Sequence, residues 1–235
     1  MAMIALLAMA PSSQAESLRE RPKAVVELFT SQGCSSCPPA DALLSSLGRD
    51  EDVIALAFHV DYWDYVGWKD TFGNPANSDR QRAYAKSWGT PRIYTPQMVV
   101  NGKQDVVGSR RAEVHSAIRS ASLTLPVDIE SDAGMLEVEI GPRAGTADAV
   151  VWLVTYLRQA QVQIERGENA GKAMSYTQVV TGRHMLGMWE GKAGARFKLP
   201  LAELAAEAGD GIAVIVQEDR NGLPGAILGA ASYER

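Results

Sequence analysis

The sequence contains two cysteines, Cys34 and Cys37, separated by two serines. At this spacing both sulfurs can meet across the first turn of a helix, where free N–H groups and the positive end of the helix dipole favour a thiolate over a thiol. Because the thiolate is the attacking species, we expect Cys34 to be the nucleophile and Cys37 to be the resolving thiol. The pattern therefore predicts thiol–disulfide exchange at a redox-active Cys34–Cys37 pair.

Two prolines follow Cys37 directly and leave the start of the helix open between two registers. If the helix included both cysteines, the ring of Pro38 would clash with the carbonyl of Cys34, four residues earlier. In the alternative register the helix begins at Pro38, with Cys37 as its N-cap and Cys34 in the preceding loop. In that register the helix dipole stabilises a Cys34 thiolate less.

The residues around the cysteine pair are patterned as strand, loop and helix. Residues 24–29 are a short apolar, β-branched and aromatic run, which predicts a buried strand before the cysteines. Apolar residues at helical spacing between Ala40 and Leu47 predict an amphipathic helix after them. Residues 53–58 form a second apolar run without alternation, which is typical of a sheet covered on both faces. A cysteine pair in this context is typical of a thioredoxin-like redox site.

The Thr95-Pro96 pair precedes a predicted strand and an Asn-Gly hairpin turn. It resembles the cis-proline that faces the dithiol in thioredoxin-like proteins, so we expect a cis peptide bond beside Cys34. This resemblance makes Pro96 a candidate catalytic residue that presents backbone groups to a bound strand, and Thr95 a candidate substrate-binding residue.

Three segments resemble the DUF1223 group of secreted bacterial proteins: residues 27–34 (ELFTSQGC), 59–64 (HVDYWD) and 94–97 (YTPQ). The resemblance to this group extends over nearly the whole chain, and the more general resemblance to thioredoxin covers about residues 23–122. The resemblance implies a thioredoxin-like fold.

The hydrophobic pattern changes near Pro126. Downstream, short alternating strands separated by turn residues are typical of an antiparallel β-sandwich. We therefore predict an α/β fold with a thioredoxin-like domain at residues 23–122 and an all-β, immunoglobulin-like sandwich domain at residues 126–235. We expect the sandwich to fold on its own, with Trp152 in its core.

Composition and the N-terminal segment limit the possible partners and the location of the protein. The net charge of −5 argues against a nucleic-acid partner, because phosphate recognition needs a surplus of basic residues. Residues 1–15 combine a short apolar run with a small-x-small cleavage pattern and predict an export signal, hence a secreted or periplasmic protein. No later segment reaches the roughly 20 apolar residues of a transmembrane helix, so we expect no membrane span in the mature chain.

Residues that follow the second strand are further candidates. His59 and Asp61 leave this strand at its carboxyl end, where open α/β sheets place ligands. A proton acceptor or metal ligand is one interpretation of His59; a paired core histidine with a capping aspartate is the one we favour. Trp63, within an aromatic segment, is a candidate for holding an extended peptide over the dithiol, and packing of this segment itself is an equal alternative. For the charged connector at residues 165–172, contact with the redox site is one interpretation; a solvated hairpin loop is the one we favour.

The sequence thus predicts an exported thiol–disulfide oxidoreductase that acts on protein thiols or disulfides, or on small thiols. No metal and no cofactor is expected beyond the redox-active disulfide Cys34–Cys37. Cysteine pairs followed by proline also occur in thioredoxin-like copper-delivery proteins. The alternative is therefore a periplasmic copper-binding protein that holds Cu(I) with Cys34, Cys37 and His59.

Overall fold

The computed structural model describes residues 17–206 and 209–234, and within them the chain is mostly β. The strands are β1 (Ser17–Arg19), β2 (Ala24–Thr30), β3 (Val53–His59), β4 (Gln97–Val100), β5 (Gln104–Val107), β6 (Asp128–Asp132), β7 (Met135–Ile140), β8 (Ala149–Gln163), β9 (Ala173–Trp189), β10 (Ala195–Pro200), β11 (Gly211–Asp219) and β12 (Pro224–Glu234). The helices are α1 (Pro38–Leu47), α2 (Pro75–Ser87), α3 (Arg111–Arg119) and α4 (Leu201–Ala206), with a 3₁₀ turn at Asp64–Val66. The predicted signal segment, residues 1–15, lies outside the described residues. Within the described ranges, no helix combines the length and the apolar composition needed to cross a bilayer.

Nine strands form one mixed sheet in the order β1-β12-β11-β8-β9-β3-β2-β4-β5. At one end of the sheet β2 and β3 are parallel, and β4 and β5 continue it in antiparallel pairing. The fully buried runs of β2 and β3 allow helices to cover both faces here. α1 and α3 pack on one face and α2 packs on the other. This arrangement places the carboxyl ends of β2 and β3 side by side, next to the start of α1.

The second half of the chain supplies the other end of the same sheet. β8 and β9 form a long antiparallel hairpin, β11 and β12 extend it, and β1 from the N-terminal part of the chain pairs with β12 at the edge. The two halves meet where β3 pairs in parallel with β9, at Ala57 and Val179. This pairing brings the β8–β9 hairpin next to the strand that ends at His59.

A second sheet, in the order β10-β7-β6, covers one face of the second half. Its apolar side chains pack against β8, β11 and β12 in a core that contains the fully buried Trp189. The prediction that Trp152 enters this core is wrong: Trp152 is half-buried on the opposite face. The side chains of Val151 and Leu153 enter the core, and successive side chains of a strand point to opposite faces, so Trp152 points away.

The predicted fold class, a thioredoxin-like α/β domain followed by a separate all-β sandwich, is wrong. One nine-stranded sheet passes through both predicted segments, and strands dominate over helices. Only the two-layer packing of the second half agrees with a sandwich. Hydrophobic alternation identifies strands but does not specify their partners, so the β3–β9 pairing leaves no signal in the pattern. Independent folding of residues 126–235 stays a prediction.

A buried polar network connects the two halves. Glu27 lies in the middle of β2, pairs with Arg80 of α2 at 2.7 Å and accepts a hydrogen bond from the hydroxyl of Tyr84. Arg80 also donates to the side chain of Gln217 on β11 at 3.1 Å, and Gln217 donates to Tyr84 at 2.8 Å. α2 is therefore bonded to strands from both halves of the chain.

Candidate functional site

Cys34 and Cys37 form a disulfide in the loop between β2 and α1, with an S–S distance of 2.06 Å and a Cα–Cα distance of 5.4 Å. α1 begins at Pro38, and Cys37 is its N-cap. The N–H groups of Ala40 and Asp41 donate to the Cys37 carbonyl at 2.8 and 3.1 Å. Of the two registers open from the sequence, the structure adopts the one that starts the helix at Pro38, where the missing N–H of proline breaks no helical hydrogen bond. Cys34 therefore precedes the helix.

The Thr95-Pro96 segment lies against Cys34. Its peptide bond is cis, as expected, and β4 begins directly after it. The hydroxyl of Thr95 donates to the sulfur of Cys34 at 3.2 Å, and the indole N–H of Trp63 donates to Thr95 Oγ1 at 2.8 Å. Three residues singled out from the sequence are thus joined in one chain of hydrogen bonds, with Pro96 adjoining it.

Exposed groups surround the buried disulfide. The two cysteines are 1% and 0% exposed, whereas the Ser35–Ser36 pair between them is exposed. Tyr65 is 82% exposed and stacks on Trp63, with ring centroids 6.3 Å apart. A partner that reaches Cys34 therefore contacts the Ser35–Ser36 pair and the stacked rings of Trp63 and Tyr65.

The connector at residues 165–172 is a largely exposed hairpin loop between β8 and β9, as interpreted, but one buried residue of it packs on the cysteine loop. Asn169 is fully buried, and its amide donates to the carbonyls of Gln32 at 2.9 Å and Cys34 at 3.1 Å. Lys172 donates to the amide oxygen of Asn169 at 2.8 Å and holds the amide in this orientation. Buried carbonyls need a donor, and Asn169 supplies it where the sequence suggested water.

Two neighbours of Asn169 also touch the site. The carboxylate of Glu168 accepts the backbone N–H of Ser35 at 3.3 Å. Gly167 has φ +77°, and a Cβ there would lie 3.2 Å from Cβ of Trp68, so glycine suits both the backbone conformation and the close approach. Trp68 in turn donates to the side chain of Gln32 at 2.7 Å. The second half of the chain thus contributes residues 167–169 to the site.

His59 is buried at the end of β3, in agreement with the interpretation of a paired core histidine. Its partner is Asp70, at 2.8 Å from Nδ1, rather than Asp61, which instead accepts from Ser78. The same oxygen of Asp70 accepts the N–H of Gln32 at 2.8 Å. Burial raises the pKa of Asp70, but attraction to His59 and these hydrogen bonds outweigh it and hold the pKa below its usual 3.8. Asp70 therefore connects His59 to the loop that carries Cys34.

Asp41 is a buried acid in the first turn of α1, four residues after Cys37 and hence on the same side of the helix. One carboxylate oxygen accepts the hydroxyl of Thr30 at 2.8 Å, and the other has no partner among the described residues. Burial raises the pKa of Asp41 to about 7, although attraction to His59 opposes the shift. Near neutral pH this carboxyl can therefore both give and accept a proton.

The raised pKa of Asp41 predicts how stability depends on pH. Asp41 stays protonated in the folded protein up to about pH 7, whereas in the unfolded chain it ionises near its ordinary value of 3.8. Its contribution to the free energy of unfolding is therefore complete below about pH 4 and is lost as the pH rises to about 7, a change of roughly 4 kcal/mol. We expect Asp41→Asn to remove this decline in urea titrations.

The exposed Asp79 of α2 provides the control, because Asp79→Asn should leave the decline unchanged. The lowered pKa of Asp70 makes its contribution to the free energy of unfolding fall as the pH decreases below about 3.8. It therefore does not affect the decline between about pH 4 and pH 7. An Asp41→Asn variant whose stability falls with pH as steeply as that of the wild type would contradict the assignment.

The copper alternative requires Cys34, Cys37 and His59 as ligands. In the structure both cysteines are disulfide-bonded, and Nδ1 of His59 is engaged by Asp70. Across residues 17–206 and 209–234, no group of three or more Cys, His, Asp or Glu side chains is arranged to hold a metal ion. The structure does not bring the proposed copper ligands together as an open set.

Comparison with known proteins gives the chain a family. The family model described as a protein of unknown function (DUF1223) matches residues 25–217. The chain belongs to the DUF1223 family. The matched range includes the cysteine pair, Thr95-Pro96 and the 165–172 connector of this DUF1223 protein, and the resemblance expected from its three segments is confirmed.

A solved structure is similar over almost its full length. It is a crystal structure of a protein from Agrobacterium tumefaciens, with 35% sequence identity, coverage of 91% of this chain and 94% of that chain, and a TM-score of 0.81. No curated protein matches the sequence. At this coverage the similarity extends to both halves of this chain.

The sequence patterns do not identify three residues that the structure of the DUF1223 chain places at the site. Asp41 had a readable signal, because it lies three residues before Leu44 on the apolar face of α1. Asp70 and Asn169 had none, since each lies in an irregular segment rich in polar and glycine residues. Only the folded chain shows that both segments close over the cysteine loop.

Proposed function

We propose that this DUF1223 protein is an exported thiol–disulfide oxidoreductase that acts on protein thiols or disulfides. The observation that carries the proposal is the disulfide at the start of α1 with the Thr95 hydroxyl on the sulfur of Cys34. The Thr95 hydroxyl stabilises a thiolate on Cys34, and the N-terminus of α1 stabilises a thiolate on Cys37. The disulfide itself suits the oxidising compartments in which an exported protein resides.

In the oxidising direction a substrate thiolate attacks the sulfur of Cys34, the Cys34–Cys37 bond breaks, and its electron pair leaves on Cys37. A second substrate thiolate then attacks the substrate sulfur of the mixed disulfide and releases Cys34 as a thiolate. The substrate loses two electrons and forms a disulfide, and the protein gains a dithiol. In the reducing direction Cys34 attacks a substrate disulfide, and Cys37 closes the protein disulfide and releases the substrate.

We assign to Asp41 the exchange of a proton with Cys37. Its N–H already contacts the Cys37 carbonyl, and its carboxyl lies one helical turn along the same side. With a pKa of about 7, it can protonate the departing Cys37 thiolate or accept the proton when Cys37 attacks.

Substrate recognition falls to the surface beside Cys34. The Pro96 carbonyl accepts the N–H of Gly108 at 2.9 Å, which occupies one of its two lone pairs. The backbone of Thr95 makes no hydrogen bond within the described ranges and is the free main-chain group at this point. The exposed Tyr65, stacked on Trp63, adds apolar surface for the side chains of a bound peptide.

A titration with mixtures of reduced and oxidised glutathione tests the proposal. We expect the native protein to show one reversible two-electron transition, followed by alkylation of free thiols, with a reduction potential above about −300 mV. The exposed-residue variant Arg196→Gln should titrate like the wild type. A disulfide that glutathione reduces only after the chain is unfolded in denaturant would mark it as structural and contradict the proposal.

The same samples test the copper alternative. Titration of the reduced protein with Cu(I) would favour copper delivery if binding were tight, if it weakened in His59→Ala, and if the disulfide did not respond to glutathione. Redox exchange without such binding removes the alternative.

A further inference from the structure

A pocket of about 300 Å³ opens between α2 and the turn that joins β11 to β12. Its walls are mainly apolar and include Val150, Leu223 and Pro224. The exposed Met185 also lines it. None of the residues that form the cysteine site lines it. The pocket therefore has no part in the proposed exchange reaction.

Arg183 of β9 is the charged group in this pocket for which the described residues provide no ion pair. Its guanidinium lies 3.8 Å from the centroid of the Trp152 ring. Within the described part of the chain it makes no hydrogen bond and no ion pair. Burial, together with repulsion from Arg80, lowers the pKa of Arg183 to about 10, a value at which it still carries its charge at neutral pH. A largely desolvated cation without a counterion costs stability unless an anion pairs with it, and a contact with an aromatic ring offsets only part of this cost.

The other charged residues of the pocket already have partners. Arg80 is paired with Glu27. The carboxylate of Glu218 accepts from Arg220 and from the N–H of Ala226, and Asp219 accepts from the N–H of Gly222. The N–H groups of Arg183 are therefore the donors that remain for a ligand.

We propose that this pocket binds a small organic carboxylate. The carboxylate pairs with the guanidinium of Arg183, which Trp152 holds flat, and the apolar part of the ligand packs against Leu223 and Pro224. A single unpaired cation matches a single negative charge. The acidic side chains of Glu218 and Asp219 in the wall disfavour a dianion such as a phosphate ester. The narrow apolar walls favour a carboxylate with a short aliphatic or aromatic tail.

The test measures binding of 3-phenylpropionate and hexanoate to the purified full chain by calorimetry, with 3-phenylpropionamide as the uncharged match. We expect at least one of the two carboxylates to bind and to raise the melting temperature, and the amide to bind about tenfold more weakly or worse. Arg183→Gln should lose this difference between acid and amide, and Arg183→Lys should keep part of it because it retains charge without the planar fork. Arg196→Gln, which changes an exposed arginine on β10, should bind like the wild type.

A second readout does not need a ligand. Because the described residues give Arg183 no counterion and the substitution removes only its contact with the Trp152 ring, Arg183→Gln should fold and melt close to or above the temperature of the wild type in the absence of carboxylates. The proposal is overturned if neither carboxylate binds, if the amide binds as well as the acid, or if Arg183→Gln binds the acid as tightly as the wild type. Tighter binding of inorganic phosphate than of either carboxylate would overturn the ligand class.

Discussion

Replacing Arg80 with methionine is expected to lower the free energy of unfolding by about 3–5 kcal/mol. Arg80 and Glu27 are both buried, and removal of the cation leaves the carboxylate of Glu27 in the middle of β2 without its counterion. The hydroxyl of Tyr84 still donates to Glu27, but one neutral donor does not replace a buried ion pair. Urea denaturation near neutral pH measures the change.

Two variants separate this effect from a general weakening of α2. Arg82→Met removes an exposed cation that pairs with Asp79 on the same helix, and we expect a loss of less than about 1 kcal/mol. The double variant Glu27→Leu with Arg80→Met should recover most of the loss, because no unpaired charge remains and Tyr84 and Gln217 still bond each other. Equal losses in Arg80→Met and Arg82→Met would show that the buried pair does not stabilise the fold.

Local chemistry could be predicted from the sequence. The strand before Cys34 and the helix after Cys37 follow from neighbouring residues, because apolar runs, prolines and helical spacing act over a few positions. The same holds for the burial of His59, although its partner Asp70 lies eleven residues away in an irregular segment. The cis bond before Pro96 follows instead from the resemblance to thioredoxin-like proteins.

Long-range pairing could not be predicted. A single parallel contact between Ala57 and Val179 merges the two predicted domains into one sheet, and nothing in the alternation of either strand specifies it. The position of Trp152 failed for a related reason: its place in an apolar run indicated burial but not which face of the sheet would receive it.

The missed part of the site has the same origin. Asn169 lies in a connector whose glycines and charges are typical of a solvated turn, and its burial arises only because the β8–β9 hairpin reaches the cysteine loop. Sequence patterns describe a loop's own preferences. They do not describe the carbonyls of Gln32 and Cys34 in a distant loop, to which the buried Asn169 donates.

The central claim is that Cys34 exchanges disulfides with a partner and that Cys37 resolves the mixed disulfide. The decisive measurement is the intact mass of single-cysteine variants after incubation with a disulfide-bonded peptide and removal of the excess, with peptide mapping of the modified residue. Cys37→Ser should keep the peptide on Cys34 in nearly every molecule, because no thiol remains to expel it. Cys34→Ser should carry at least about tenfold less, because the Thr95 hydroxyl donates to the sulfur of Cys34 in the loop, whereas Cys37 lies at the N-cap of α1. Equal labelling of the two variants, or no stable adduct on Cys34, would contradict the assignment of this pair as a thiol–disulfide exchange site.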